Sequence, residues 1–369
     1  NGHPYIRVRD LNNKRVLELD NSYEYVDNET QKVISKYTVK TGDVVLSIVG
    51  TIGLVAIVGR TLDGANLTEN CVKLSSFHGV NRDFLYYYLR SDCGQQEIRC
   101  GTVGAVQAKL PIKNIQNIAI NLPDYTTQER IASLLLSIDR KIELNQKIND
   151  NLEQQAVTYF QELYINNANP MWQIGTISDL GTVVGGSTPS KTKPEYYTNN
   201  GIAWITPKDL SINKSKFISH GENDITELGL KNSSATVMPK GTVLFSSRAP
   251  IGYIAIVSNE VTTNQGFKSV VPYLEIGTAF VYFFLKHSLP VIESAASGST
   301  FKEISGSAMK NIPAIIPDRS TLDQFNSFCA PIFAQQKILE DQNYSLAMLR
   351  DSLLPKLMSG AIDIASIQL

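Results

Sequence analysis

Few residues in this 369-residue chain are placed for hydrolytic chemistry. Pro123-Asp124 followed by Asp139-Arg140-Lys141 is a formal nuclease-like pattern, in which two carboxylates and a lysine would hold Mg²⁺ and activate water. The spacing is permissive. Asp139 and Lys141 also fall on a predicted long helix rather than on a strand beside Asp124, so a nuclease is not the expected reading. Other catalytic patterns are missing. No Asn/Asp-Pro-Pro-Tyr tetrapeptide and no GxGxxG after a strand occurs, so the pieces for binding S-adenosylmethionine and methylating a base are lacking, and no GxxxxGK[ST] marks an ATPase. His3, His78, His220 and His287 are scattered, and Cys71, Cys93, Cys100 and Cys329 form no CxxC pair, so no metal site is expected and a reducing cytoplasm fits best.

Several segments instead carry groups suited to binding. Gly185-Gly186-Ser187-Thr188-Pro189-Ser190-Lys191-Thr192-Lys193 joins flexible glycine to hydroxyls and two lysines without an apolar anchor. The segments Gly101 to Lys109 and Gly298 to Lys302 have the same character. Taken alone, each reads more readily as an ordinary solvated turn than as a contact surface. Charge adds direction. Residues 1–123 hold 14 basic and 12 acidic side chains and residues 170–317 hold 12 and 10, so each block is +2 within a chain of net charge −1. Residues 124–169 carry 4 basic and 7 acidic groups, and residues 318–369 carry 4 and 6. Two mildly basic blocks thus alternate with two acidic stretches.

The elements that position these groups come in two copies. At an offset of 199 residues, Asn1 to Leu11 lies over Asn200 to Leu210, and the run GDVVLSIVGTIGLVAIV from Gly42 lies over GTVLFSSRAPIGYIAIV from Gly241. The offset then drifts to about 194, where Pro123 meets Pro317. Short β-branched runs, Val44 to Ile48, Leu54 to Val58, Val243 to Ser246 and Tyr253 to Val257, predict strands. Arg82 to Arg90 and Thr278 to His287 predict helices, so each unit is α+β. The first copy lacks a counterpart of about Trp172 to Asn199, and the start at Asn1-Gly2-His3-Pro4, without a Met, leaves the expectation that sequence is missing before it.

The acidic stretches Thr127 to Tyr164 and Thr321 to Ser359 predict long helices. In the first, Ile131, Leu135, Ile138, Ile142, Asn145, Asn149, Leu152, Ala156, Tyr159 and Leu163 alternate spacings of four and three, the seam of a coiled coil. The second gives Phe325, Cys329, Ile332, Gln336, Leu339, Asn343, Leu346, Arg350, Leu353 and Leu357. Asn149 and Asn343 stand at matched positions, 194 residues apart, and are expected to set the register of helix against helix, the alternative being that they face solvent.

The unit that ends in Leu122-Pro123-Asp124-Tyr125-Thr126-Thr127-Gln128-Glu129-Arg130-Ile131, followed by a long helix and then repeated, resembles the specificity subunit of type I restriction-modification systems. Trp172 before Gly185-Gly186-Ser187-Thr188-Pro189, Trp204-Ile205 with Asp209-Leu210, and the paired Ile-Gly strands carry the same resemblance, which covers essentially the whole chain. The second helix departs from the pattern, with Thr321-Leu322-Asp323-Gln324 in place of Gln-Glu. The resemblance implies two target-recognition domains separated by two long antiparallel coiled-coil helices: 1–124, incomplete at its N-terminus, the helix 125–166, a second domain 167–318 and a C-terminal helix 319–369.

It further implies a non-catalytic subunit that reads a bipartite duplex target, one half per domain. Methyltransferase subunits would dock on the helices, and motor-nuclease restriction subunits would join the larger complex. S-adenosylmethionine, Mg²⁺ and ATP would serve those partners, and no cofactor is expected in this chain. Candidate contacts are Arg7, Arg9, Gln107 and Lys109 in the first unit, and Ser187, Thr188, Lys191, Lys193, Lys208, Arg248, Ser299, Thr300 and Lys302 in the second. Lys208 and Arg9 follow equivalent strands, the alternative for each being a salt bridge to Asp209 or Asp10. Arg248 is replaced by Val49 in the other copy, and arginine is the commonest reader of guanine. A helix of 38 residues, Thr127 to Tyr164, would be about 57 Å long at ~1.5 Å per residue, longer than the ~34 Å of one duplex turn. The competing reading is a scaffold whose coiled coil homodimerises while the two units bind protein or glycan. No window approaches the ~18 apolar residues of a membrane span.

Overall fold

A computed structural model describes residues 2–11, 14–104, 106–298 and 302–364. The chain divides into two units, Asn1–Glu143 with Tyr344–Leu369, and Leu144–Asn343. Each long helix is therefore shared between them.

In the first unit His3–Ile6 lies between antiparallel Glu24–Val26 and parallel Asn66–Leu67. A second sheet runs in the order Val16–Leu17, Val55–Val58, Val44–Ser47, Cys71–Leu74. Its two central strands are buried at every position, as continuous β-branched runs require when both faces are covered. Helix Arg82–Arg90 packs Phe84, Leu85, Tyr86, Tyr87, Tyr88 and Leu89 into the core, and Asn81 caps it by accepting from the Phe84 amide at 3.0 Å.

The second unit repeats this plan and adds to it. Ile202–Ile205 pairs with parallel Thr262–Thr263, in the relation Tyr5 and Ile6 hold to Asn66 and Leu67. The larger sheet has five strands, ordered Phe217–Ile218, Ile251–Val257, Val243–Ser247, Lys268–Pro272, Gly181–Gly185. The fifth strand belongs to the segment without a counterpart in the first copy. So does Gln173–Thr176, which pairs with Pro313–Ile316. Between these strands Ile177 and Leu180 are fully buried in the core around helix Thr278–His287.

The central helix runs from Tyr125 to Phe160, 36 residues, and continues into a π-helical turn at Gln161–Asn166. The C-terminal helix spans Arg319–Met358, 40 residues, passing through Pro331 and Pro355. Both start on an aspartate. Asp124 accepts from the Thr127 amide at 3.0 Å and Asp318 from the Thr321 amide at 2.9 Å, so the second helix keeps the cap although its Gln-Glu pair is gone.

Within each unit the two helix segments run antiparallel. In the first, Ile131 and Leu135 share a core cluster with Leu353 and Leu357. In the second, Ala156 clusters with Ile332, Leu152 packs at its edge, and Tyr159 stacks on Phe325. Ile138 and Leu339 are buried, whereas Ile142 and Leu346 are half-buried and belong to neither cluster. The polar layer joins the helices through the Asn343 side chain, as expected, but through only the backbone of Asn149. Asn343 accepts from Asn145 Nδ2 at 2.9 Å, and Asn149 contributes its backbone carbonyl to Gln336 Nε2 at 3.2 Å. The matched asparagines thus do not pair: in an antiparallel arrangement a residue meets the mirror position across the pair, not its own repeat equivalent.

A separate polar contact holds each domain to its helices. In the first unit Arg350 bonds Asp139 at 2.8 Å, Asp139 accepts from the Tyr87 hydroxyl at 2.6 Å, and Arg15 reaches Glu143 at 3.3 Å. In the second, buried Lys216 lies against Glu153, donates to Gln336 Oε1 at 2.6 Å and sits 4.1 Å from the Phe333 ring centroid. Burial alone would push the Glu153 carboxyl up, but Lys216 and Lys286 together hold it below the usual carboxylate range.

Candidate nucleic-acid interface

In the second unit several loops meet at one end of the five-stranded sheet. The Ser187 amide donates to Thr263 O at 2.8 Å, and Trp204 Nε1 donates to Ser187 O at 3.0 Å. Gly186 lies so close to this backbone that a Cβ there would fall 2.0 Å from Asn264 O, which explains the glycine. Thr188 bonds its hydroxyl to Gln265 Oε1. The Ser247 amide donates to Gly266 O at 2.8 Å, and the Ile304 amide to Ser247 O at 3.1 Å. Arg248 and Glu303 form an isolated antiparallel bridge, as do Ser297 and Glu303. Pro207, ahead of Lys208, closes over Gly266.

The first unit builds the same junction with fewer parts. The Thr68 amide donates to Ile6 O and the Leu110 amide to Ile48 O, matching Asn264 to Ile205 and Ile304 to Ser247. Val49 and Val103 each bridge to Lys109, as Arg248 and Ser297 do to Glu303. The backbones agree while the side chains differ.

The structure brings Ser187, Thr188 and Arg248 together around this junction, with Lys302 exposed beside Glu303. Lys191 is exposed without an ion pair among the described residues, and Lys193 lies 5.3 Å from the Tyr196 ring centroid. In the first unit Lys109 and Gln107 are exposed near Val49. Ser299 and Thr300 lie outside the described residues.

Three candidate cations are ion-paired. Lys208 meets Glu222 at 2.6 Å, Arg9 meets Glu24 at 3.0 Å, and Arg7 contacts Glu24 and, at 3.4 Å, Asp10. The partners expected from sequence proximity, Asp209 and Asp10, are instead held by backbone. Asp209 Oδ2 accepts from the Thr206 amide at 2.7 Å and Asp10 Oδ2 from the Arg7 amide at 2.8 Å, leaving only a 3.8 Å approach of Arg9 to Asp10. The exposed Lys208 and Arg9 pairs open readily to a phosphate, whereas the Arg7 side chain is mostly buried. Arg248 is also paired, to Glu303 at 3.4 Å, and Lys268 approaches the other Glu303 oxygen at 3.7 Å.

Sequence reasoning missed Gln265, Lys268 and Glu303. The repeat offset would have pointed to Glu303 as the equivalent of Lys109. The nuclease-like carboxylates are engaged elsewhere, Asp124 as a helix cap and Asp139 with Tyr87 and Arg350, and their 15-residue separation along the chain spans about 22 Å of helix. Among the described residues no cluster of His, Cys, Asp or Glu could hold a metal ion, and no helix is long and apolar enough to cross a membrane.

This repeated α+β unit, with its junction of loops and paired long helices, has known relatives. The family model described as type I restriction modification DNA specificity domain matches residues 1–154 and 169–341. The chain belongs to that family. It is similar to the type I restriction enzyme MjaIX specificity subunit of Methanocaldococcus jannaschii, 42% identical over 162 residues, a stretch that covers 43% of this chain and 37% of the relative's own length. The type I restriction enzyme HindI specificity subunit of Haemophilus influenzae is 23% identical over 341 residues, 72% of this chain and 73% of the relative. The fold is that of the type I restriction-modification system S subunit from M. genitalium, at a TM-score of 0.53 and 16% identity, covering 97% of this chain and 92% of that one.

Proposed function

We propose that this chain is the DNA-reading subunit of a type I restriction-modification complex and that each unit reads one half of a split duplex target. The observation that carries the reading is the loop junction present in both units, with matched backbone bridges and different side chains. Two readers of one design facing two different half-sites need that combination. Hydroxyls, an amide and lysines supply contacts to phosphates and base edges, with arginine and lysine providing the salt-dependent part of affinity.

The recognition domains are residues 1–124 and 167–318, and the helical segments 125–166 and 319–369 serve as spacer and as docking surface for methyltransferase subunits. Restriction subunits join that assembly. Methylation and cleavage reside in these partners, which use S-adenosylmethionine, Mg²⁺ and ATP, and the assembly works in the cytoplasm. Candidate contacts in this chain are Arg7, Arg9, Gln107 and Lys109, and Ser187, Thr188, Lys191, Lys193, Lys208, Arg248, Ser299, Thr300 and Lys302.

The test is selection of bound sequences from a random duplex pool, with the chain and candidate methyltransferase partners, at two salt concentrations. A split motif with a constant gap is expected, and exchange of residues 170–317 should change one half alone. Enrichment of no motif under either condition would favour the scaffold reading, in which a coiled-coil protein binds protein or glycan and shows no salt-dependent affinity for duplex.

A further inference from the structure

At the centre of the loop junction the two units carry opposite charges on the same backbone. In the second, Glu303 bridges to Arg248 and to Ser297, with reciprocal hydrogen bonds to Ser297 of 2.9 and 3.1 Å. In the first, Lys109 bridges to Val49 and to Val103, with reciprocal bonds of 2.9 Å to Val103. The flanks change with the centre. Glu303 lies between Arg248 at 3.4 Å and Lys268 at 3.7 Å. In the first unit, strand pairing puts Val72 where the second has Lys268, so Lys109 has the equivalents Val49 and Val72. An anion flanked by two cations in one copy thus corresponds to a cation in the other, where the positions equivalent to those two cations are apolar.

Resting on the DNA-reading function proposed above, we propose that Glu303 and Lys109 occupy a base-reading position that sets the half-site specificity of each unit. A carboxylate only accepts hydrogen bonds and suits the exocyclic amino group of cytosine, whereas an ammonium only donates and suits O6 and N7 of guanine. A bare carboxylate would be repelled by the duplex phosphates. Arg248 and Lys268 neutralise Glu303 and aim it, which makes Arg248 a positioning residue here rather than the guanine reader its sequence suggests. Lys109, already cationic, needs no such escort and makes no ion pair among the described residues. The side chains of Glu303 and Arg248 are 38% and 39% exposed, so both remain accessible to a ligand.

The test repeats the duplex selection with E303Q and, separately, Lys109→Met, each assembled with the methyltransferase partners. E303Q keeps the side-chain shape and replaces an acceptor by a mixed donor and acceptor. It should reduce discrimination at one base pair of one half-site by about 5- to 150-fold and leave the other half and the gap unchanged. Lys109→Met should do the same at one base pair of the opposite half. Arg248→Lys should keep the wild-type motif, whereas Arg248→Met should weaken the Glu303-dependent position together with overall affinity. Thermal unfolding of each variant at the wild-type temperature confirms that folding is intact, and Glu303→Met, which removes the acceptor altogether, replaces E303Q if it is not. A wild-type motif that E303Q and Lys109→Met both leave unaltered overturns the assignment alone. A wild-type chain that enriches no motif overturns the DNA-reading function and this assignment together.

Discussion

The two units follow one plan, but the second shows strands that have no counterpart among the described residues of the first. Lys268–Pro272 carries Gly181–Gly185 along its edge, and Pro313–Ile316 carries Gln173–Thr176. In the first unit the corresponding edge, Cys71–Leu74, has a neighbour on one side only among the described residues. The surface beside it is a groove of about 420 Å³ of mixed polarity, in which Lys73 and Ser75 join Leu74, Phe77, Leu85 and Ile118. In the second unit Trp172 donates from Nε1 to the capping Asp318 at 2.9 Å, whereas Asp124 caps its helix without an indole partner among the described residues. The difference teaches which contacts are independent of an outer strand: in the first unit the central strands and the aromatic helix behind them share one core cluster.

The comparison is sharpest where each domain grips its helices. Asp139→Ala should strand Arg350 and the Tyr87 hydroxyl in the first unit, and Glu153→Ala should strand Lys216 in the second, each costing about 3 to 5 kcal/mol in urea unfolding. Equal losses would show that both grips matter alike, and a loss under about 1 kcal/mol in either would show that water replaces the missing group. Ile177→Ala, in the segment present only in the second unit, should cost about 3 kcal/mol. Amide exchange provides a third comparison: Leu74 should exchange at least about tenfold faster than Val270, its equivalent in the pairing register, because an edge strand opens locally at lower free energy. Equal protection would mean that the open edge is covered in solution.

Smaller effects separate free from paired cations. Lys191→Ala should reduce the slope of log affinity for duplex against log salt by about 1, the signature of one lost phosphate contact. An unchanged slope would place Lys191 off the DNA. Acid provides the smallest effect. The Glu153 carboxyl is held below the usual range in the folded chain, so its contribution to stability is present above the ordinary glutamate value of about 4.3 and fades as the pH falls through the folded value. The loss on acidification should shrink in Glu153→Gln, as urea midpoints across pH would show.

Much of this architecture was legible in the sequence because it is local or repeated. The runs at Val44 and Val243, the aromatic helices and the heptad spacing each state their own structure within a few residues, and the 199-residue offset supplied the tandem organisation. The pairings across the chain were less legible. Asn145 rather than Asn149 meets Asn343 because antiparallel packing reverses the order of one helix, which spacing within either helix does not reveal. Arg248 looked like a lone arginine because Glu303 follows 55 residues later and reaches it through an isolated bridge. Lys268 was hidden at the start of a strand, and the carboxylates that pair with Lys208 and Arg9 are the more distant Glu222 and Glu24, since backbone amides had claimed the nearer aspartates.

The charge pattern along Cys71–Leu74 also bears on solubility. Val72 and Leu74 alternate around a single residue, and a strand whose outer backbone groups lack a partner is a template on which another chain could extend the sheet. That single residue is Lys73, exposed in the middle of the strand, with Nζ bonded to Thr38 O at 2.6 Å. A charge in the middle of a strand disfavours edge-to-edge pairing with another chain wherever that edge is uncovered, and the Lys73 side chain itself stays outside the core cluster beside it.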